Sequence, residues 1–173
     1  MKKNLVLTGM MGVGKSTVAK KLSKKLGLKF VDIDKIIEKK EQATIKDIFH
    51  DKGEEYFRKI EKMITLDVLQ KKNLVIALGG GAFMSKTIRK EVNNLSISFW
   101  LDLNIKSILP RIKNIKKRPL LKQNNLEETM NKIYLERKKF YNESHFRIKC
   151  TSMDLEKIVN KIVKLYQDAE NKI

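Results

Sequence analysis

The segment from Leu5 to Thr17, LVLTGMMGVGKST, constrains the fold more than any other part of the chain. Within it, an apolar run is followed by residues 9–16, which match the spacing G-x-x-x-x-G-K-[ST]. Glycines at these positions let the backbone turn sharply and direct several N–H groups at a polyphosphate, and the positive end of the following helix adds to the attraction. We therefore predict a strand, a phosphate-binding loop and a helix, with a nucleotide as the ligand.

Strand-like apolar runs alternate with helical patterns along the rest of the chain. Strands are expected at 4–8, 29–34, 74–78, 97–103 and 146–150. Helices are expected at 15–26, in two pieces after residue 34 (the second opened by Thr44), at 54–71, from 104 to about 113, at 126–142 and near the C-terminus. Because apolar strands separated by helices build parallel sheets covered on both faces, we predict an α/β fold with its ligands at the carboxyl ends of the strands.

Length and composition restrict the class of protein further. At 173 residues the chain is expected to form one domain, 1–173, and its apolar content of 42% is typical of a folded protein. A single cysteine, Cys150, excludes an internal disulfide, and no apolar run is long enough to span a membrane. We expect a cytoplasmic protein with no membrane partner.

The net charge of +18 raises the alternative of a nucleic-acid-binding ATPase. Lysine accounts for 32 of the 38 basic residues, and the lysines are spread along the chain rather than clustered with arginine and aromatic residues. This pattern favours solvated helix faces, without a specific nucleic-acid partner. ATP turnover with a small acceptor, compared with turnover with DNA or RNA, would separate the two hypotheses.

The residues around the loop indicate what receives the phosphoryl group. The chain lacks the base-recognition and switch patterns of a GTPase, and the strand at 74–78 ends in glycines rather than in the acidic pair of a mechanical ATPase. Two carboxylates, Asp32 and Asp34, come instead from VDID at 31–34, where alternation along a strand places both on one side. A metal-water ligand and a base beside a phosphate loop are typical of a small-molecule kinase.

Six short motifs, in order, carry a resemblance to one family: GMMGVGKST at 9–17, DID at 32–34, GEEYFRKIE at 53–61, LGGGA at 78–82, RPLL at 118–121 and ERKKFY at 136–141. The chain resembles the shikimate kinases over essentially its whole length. The resemblance implies a nucleoside monophosphate kinase-like fold, with a five-stranded parallel sheet, a substrate-binding helical region at about 33–61 and a mobile lid at about 112–125. It also implies that a monomer uses ATP and Mg²⁺ to phosphorylate the 3-hydroxyl of shikimate.

The resemblance also assigns roles to particular residues. The nucleotide would be held by Gly12, Val13, Gly14, Lys15, Ser16, Thr17, Arg111 and Arg118. Shikimate would be held by Asp34, Arg58, Glu61, Gly79, Gly80, Gly81 and Arg137, with the two arginines as a clamp on its carboxylate. The catalytic residues would be Lys15, Asp34 and Arg118, and Asp34 would help to deprotonate the hydroxyl. Ser16 would bind Mg²⁺ directly and Asp32 would bind it through water.

Another small kinase of the same fold, such as a gluconate kinase, remains the alternative within enzymes, and the motifs at 53–61 and 78–82 favour shikimate. Arg89 and Arg147 lie outside the motifs and are expected to be solvated surface charges. The sequence departs from the usual family pattern at Lys139 and at Ser144-His145, which leaves the local helix end and the adenine contacts near the C-terminus unassigned.

Overall fold

The structure, a computed structural model, describes residues 2–112, 125–151 and 153–171. Five parallel strands of these residues form one sheet in the order β2-β3-β1-β4-β5. The strands are β1 (Asn4–Thr8), β2 (Lys29–Asp32), β3 (Leu74–Ala77), β4 (Ser96–Asp102) and β5 (Phe146–Lys149). The predicted α/β fold with a five-stranded parallel sheet is confirmed.

The helices of the described residues connect these strands. They are α1 (Lys15–Leu26), α2 (Ile33–Glu41), α3 (Ile45–Leu69), α4 (Lys86–Leu95), α5 (Ile105–Ile108), α6 (Leu126–Tyr141) and α7 (Leu155–Glu170), with 3-10 turns at Ala82–Met84 and Leu109–Arg111. Helix α1 packs on α7, and α3 packs on α2 and α4. None of these helices combines the length and the apolar composition needed to cross a membrane.

The sheet brings the functional segments together at the carboxyl ends of its strands. Strands β1, β3 and β4 are buried along their whole length, so they form the centre of the core. The phosphate loop follows β1, Asp34 follows β2 and the glycines at 79–81 follow β3. Since all the strands are parallel, these segments lie together at the carboxyl ends, where ligands bind in open α/β sheets.

The prediction that β2 extends to Asp34 is wrong. The strand ends at Asp32, whose side chain caps α2 by accepting from the backbone N–H of Lys35, at 3.4 Å. Asp34 therefore lies in the first turn of a helix, and strand alternation does not explain its position beside Asp32. Ending the strand at Asp32 is favourable, because an aspartate at the N-cap accepts a hydrogen bond from a backbone N–H of the first helical turn.

One helix prediction is confirmed and another needs correction. The two helices expected on either side of Gly53 are present, because Gly53 adopts a non-helical φ of 81° and ψ of 169° that divides α3 into two helical parts. The helix expected between 104 and about 113 is short, since α5 changes into a 3-10 turn containing Pro110, which cannot donate a backbone hydrogen bond. The strand expected at 146–150 ends at Lys149, so Cys150, which is buried, lies just after β5.

A third correction concerns α4, which was not predicted, and the arginine that it carries. Arg89 was expected to be a solvated surface charge, but it is 8% exposed and donates to the carbonyl oxygens of Phe83 and Met84, at 2.9 and 2.8 Å. Arg147 is more exposed, yet it is ion-paired with Asp102 at 2.6 Å. Both arginines therefore have fixed structural contacts.

Candidate active site

The phosphate-binding loop joins β1 to α1. Gly14, just before the first residue of α1, has a φ of 100°, which glycine adopts at low cost. The Lys15 ammonium lies back over the loop, where Nζ donates to the carbonyl oxygens of Gly9 and Met10, at 2.9 Å each. A side-chain cation beside a helix N-terminus and a glycine-rich turn is an arrangement that binds phosphate.

The other residues predicted to bind the nucleotide occupy different places. Val13 packs into the core, so its backbone rather than its side chain faces the loop, and Thr17 is exposed on the first turn of α1. Arg111 is exposed at the end of the 3-10 turn that follows α5. Arg118 and nearly all of the predicted lid lie outside the described residues.

Ser16 and Asp32 meet next to the loop. Ser16 Oγ donates to Asp32 Oδ2 at 2.6 Å, which places a hydroxyl and a carboxylate oxygen side by side. Oxygen atoms of these kinds are the ligands that Mg²⁺ takes beside nucleotide phosphates. Within the described ranges, no group of three or more His, Cys, Asp or Glu side chains could enclose a metal, so an ion here would rely on phosphate and water for its other ligands.

A pocket, which we call the acceptor pocket, lies beside the phosphate loop at the carboxyl ends of β2 and β3. It contains about 450 Å³ of space that is partly open to solvent. All of the residues predicted to bind shikimate line it: Asp34, Arg58, Glu61, Gly79, Gly80, Gly81 and Arg137. These residues come from α2, α3, α6 and the segment after β3, so the fold brings together residues that are far apart in the sequence.

The glycines at 79–81, which we call the glycine wall, are required by close approach. A methyl group built on Gly79 would lie 2.5 Å from Glu61 Oε1 and 2.8 Å from Asp34 Oδ1. One built on Gly81 would lie 2.6 and 2.7 Å from the two terminal nitrogens of Arg58. The absence of side chains therefore lets two carboxyl groups and a guanidinium group contact the backbone of the wall.

Arg58 is held in place by two carboxylates of α3. Its Nη1 donates to Glu61 Oε2 at 2.6 Å, and its Nε and Nη2 donate to Glu54 Oε1 at 3.2 and 3.1 Å. Glu61 therefore orients the Arg58 guanidinium from the next turn of α3. Burial raises the pKa of the Glu61 carboxyl group, and the charge of Arg58 opposes that rise. Glu61 Oε1 is buried next to Gly79 and has no hydrogen-bond partner among the described residues.

Arg137 enters the acceptor pocket from α6. It is 8% exposed, and a methyl group built on Gly80 would lie 3.5 Å from its Nη1. One helical turn later, the buried Tyr141 hydroxyl donates to the carbonyl oxygen of Gly80. Burial raises the pKa of Tyr141 to about 12, so its hydroxyl keeps the proton that this bond uses.

The sequence did not identify every residue of the acceptor pocket. Apolar side chains form part of its lining, namely Met11, Ile45, Phe49 and Phe57. The rings of Phe49 and Phe57 are 4.6 Å apart, and the Arg58 guanidinium lies 5.1 Å from the ring of Phe57. Phe57 lies within a quoted motif, but an aromatic residue next to an arginine in the sequence is as typical of a core residue as of a pocket residue.

The fold and the two adjacent sites define a class, the phosphate-loop kinases that act on a small acceptor. A family model described as shikimate kinase matches residues 11–167. A shikimate kinase of Persephonella marina is 44% identical over 162 residues, covering 93% of this chain and 97% of that protein. One of Thermoanaerobacter pseudethanolicus is 38% identical over 166 residues, covering 95% of this chain and 96% of that protein. The chain belongs to the shikimate kinase family.

Solved structures agree with this assignment. The shikimate kinase of Acinetobacter baumannii in complex with shikimate is 32% identical, has a TM-score of 0.93 and covers 98% of this chain and 96% of its own. A gluconokinase of Sinorhizobium meliloti covers 98% of this chain and 94% of its own, but it is 13% identical with a TM-score of 0.62, a likeness that shows the fold alone. The comparisons therefore favour shikimate kinase over the gluconate alternative.

Proposed function

We propose that the protein transfers the γ-phosphoryl group of ATP to the 3-hydroxyl of shikimate, in the pathway to the aromatic amino acids. One observation carries the proposal: Arg58, Arg137, Asp34 and Glu61 converge on one pocket beside the phosphate loop. That pocket offers two guanidinium groups for an anionic ligand and a carboxylate for a hydroxyl. A similar protein, solved in complex with shikimate, supports the choice of acceptor.

The two arginines act as a clamp on the carboxylate of shikimate. Guanidinium groups bind carboxylates with two parallel hydrogen bonds, and they stay charged at any physiological pH. Glu54 and Glu61 hold the Arg58 guanidinium by hydrogen bonds, and the backbone of Gly81 lies close enough to limit its movement. The clamp is therefore organised before the ligand binds, which reduces the ordering cost of binding.

Asp34 binds the acceptor hydroxyl and takes its proton as the oxygen attacks the phosphorus. It lines the acceptor pocket from the first turn of α2, and a methyl group built on Gly79 would lie 2.8 Å from its Oδ1. Little covalent chemistry falls to the protein in phosphoryl transfer, because alignment of the two substrates and stabilisation of charge supply most of the rate enhancement.

Lys15 holds the outer phosphates of ATP, and the N–H groups of the loop at 12–17 hold the others. Ser16 and Asp32 would hold a magnesium ion, Ser16 directly and Asp32 through water, because a hydroxyl and a carboxylate oxygen lie side by side there. When bound, Mg²⁺ supplies positive charge to the phosphate oxygens. We propose that Arg118, from a lid at about 112–125, covers the phosphates and that Arg111 lies against the adenine.

We further propose that the whole chain, 1–173, acts as one domain and as a monomer in the cytoplasm. The seven residues predicted to bind shikimate line one pocket within a single copy of the chain, which supports the proposal of a monomer. The helical region at about 33–61 supplies Asp34, Arg58 and Glu61 to the acceptor, as expected for a substrate-binding segment.

Steady-state kinetics with shikimate and with an analogue that has a neutral amide in place of the carboxylate tests the function. We expect Arg58→Lys to raise the KM for shikimate about ten- to a hundred-fold, because the ammonium loses the two-pronged geometry. The analogue should show a similar loss with the native enzyme and a much smaller further loss with the variant, since both changes remove one interaction. Fully additive losses, or no turnover of shikimate, would contradict the proposal.

A further inference from the structure

Arg89 connects the segment after the glycine wall to the end of α6. Its Nη1 donates to the carbonyl oxygens of Phe83 and Met84, which belong to the 3-10 turn that continues the wall. Its Nε donates to Glu143 Oε2 at 2.7 Å, and its guanidinium lies 4.5 Å from the centre of the Phe140 ring in the last turn of α6. One nearly buried side chain therefore holds two elements together.

Tyr141 makes a second connection between the same two elements. Its ring is fully buried, and its hydroxyl donates to the carbonyl oxygen of Gly80 in the middle of the glycine wall. Asn93 of α4 adds a bond to the backbone carbonyl of Glu143 at 3.2 Å, on the same side as Arg89. The end of α6 is thus attached to the wall directly and to the turn after it through α4.

Arg137 lies between these connections and the acceptor pocket. It precedes Phe140 by three residues and Tyr141 by four, so all three side chains share one face of α6. A rigid helix transmits the position of its last turn to the turn before it. The distance from Arg137 to the glycine wall therefore depends on the contacts that fix the end of α6.

We propose that Arg89 and Tyr141 are positioning residues that hold Arg137 at the acceptor pocket by fixing the end of α6 to the glycine wall and its following turn. The inference rests on the proposed function, because it takes Arg137 as a ligand of the shikimate carboxylate. Neither residue touches the substrate. Their effect is on the geometry of the clamp, and therefore on the affinity for shikimate rather than for ATP.

Two single variants, Arg89→Lys and Tyr141→Phe, test this inference, each made in the wild type and in the Arg137→Lys variant. In Arg89→Lys, one ammonium cannot replace a guanidinium that bonds two carbonyls and a carboxylate together, and Tyr141→Phe deletes a single hydroxyl. Each variant should raise the KM for shikimate about three- to tenfold, with the KM for ATP unchanged. In an Arg137→Lys background, neither should raise it further, because the misplaced group is already gone.

Arg147→Lys is the matched control. Arg147 is also ion-paired, with Asp102, and its guanidinium also lies 4.5 Å from an aromatic ring, that of Trp100, but it ties β5 to β4. The Arg147→Lys variant should lose the geometry of an ion pair and of a ring contact, as Arg89→Lys does, but its KM for shikimate should stay unchanged. A similar rise in the control would mean that general loosening is the cause, and the inference would be wrong.

Several other outcomes also decide the matter. A normal KM for shikimate in Tyr141→Phe, or a full additional loss in the Arg137→Lys background, would overturn the inference. If Arg89→Lys fails to fold, Tyr141→Phe decides by the same two criteria. Wild-type turnover, measured first, separates the two levels: no turnover of shikimate refutes the proposed function and the inference with it, whereas normal wild-type turnover with unaltered variants refutes the inference alone.

Discussion

The phosphate loop and the acceptor pocket lie side by side but are built in opposite ways. The loop is one contiguous stretch, and its lysine bonds to carbonyl oxygens five and six residues away in the sequence. The acceptor pocket takes its charged residues from α2, α3 and α6, and Arg58 and Arg137 meet only because the fold brings α3 and α6 to the glycine wall. Local geometry makes the first site, and tertiary packing makes the second.

This difference has a physical consequence for how each site fails. A change in the loop acts directly on the groups that bind phosphate. A change around the acceptor pocket can act at a distance, because each charged group is held by neighbours from another element. Variants in the loop should therefore abolish turnover, whereas variants that disturb the contacts holding Arg58 and Arg137 should change the affinity for shikimate.

Lys15→Ala is expected to give the largest effect. Lys15 is the side-chain cation of the loop, and its removal should lower kcat by about 10³-fold, as for other charge-stabilising donors. The circular dichroism spectrum and shikimate binding should stay unchanged. Lys24→Ala, on the last turn of the same helix, is the control and should retain wild-type turnover. Substantial activity in Lys15→Ala would show that the phosphate loop is not essential for turnover.

Asp34→Asn should come next. The amide keeps the shape of the side chain but cannot take a proton from the hydroxyl, so kcat should fall by at least about 10²-fold. The KM for ATP should barely change, because Asp34 lies on the acceptor side of the site. Steady-state kinetics with each substrate varied in turn measures both quantities. A near-normal kcat would make Asp34 a structural residue of the first turn of α2.

Gly81→Ala tests how far the affinity for shikimate depends on packing around the acceptor pocket. The backbone of Gly81 has an ordinary φ of −102°, so the added methyl group causes no backbone strain but displaces the Arg58 guanidinium. We expect the KM for shikimate to rise about tenfold with little change in kcat. Gly27→Ala provides the opposite control: no atom lies within 4 Å of its built methyl group, but its φ is +67°. That variant should lose about 1 kcal/mol of stability with normal KM values.

The sequence predicted the strand and the helix on either side of the phosphate loop to the residue. Strand β1 and helix α1 begin and end where expected, because their signals are local: an apolar run, the loop glycines and Gly27, which ends α1. The cap of α3 was also predicted, and the Thr44 hydroxyl oxygen accepts from the backbone N–H of Asp47. Where neighbouring residues alone determine the structure, sequence reasoning succeeds.

The acceptor pocket was predicted from motifs, but the framework that holds it was not. Helix α4 was missed although Ser85 caps it and Ile88 and Val92 are buried one turn apart, a weak signal in a segment dominated by the glycines. Arg89 was taken for a surface charge, because no local pattern reveals that two carbonyl groups from a neighbouring turn will surround it. Burial of a charged residue depends on tertiary contacts, which single-sequence patterns do not contain.

The smallest expected effect lies at His145, beyond the end of α6, where the sequence departs from the usual family pattern. The His145 Nδ1 accepts from the backbone N–H of Ser98, at 3.2 Å, just before β4 begins to pair with β5. Burial lowers the pKa of His145 below 6.5, and the charge of Lys3 acts in the same direction, whereas a backbone bond to Asn93 opposes it. The fold therefore favours the neutral imidazole, in which Nδ1 is free to accept a hydrogen bond.

The sign of the pH dependence follows from that preference. Since the folded pKa lies below the unfolded value of about 6.5, the stabilisation is complete above pH 6.5 and is lost as the pH falls through the folded pKa. His145→Asn keeps an acceptor for Ser98 but does not titrate, so its melting temperature should fall by roughly 1–2 °C less than that of the wild type on acidification from pH 7 to 5.5. His50→Asn, an exposed control, should follow the wild type. Equal falls in wild type and His145→Asn would contradict the assignment. A change in the KM for shikimate at pH 7 would show instead that the end of α6 depends on this histidine, which would extend the packing that supports Arg137 to β4.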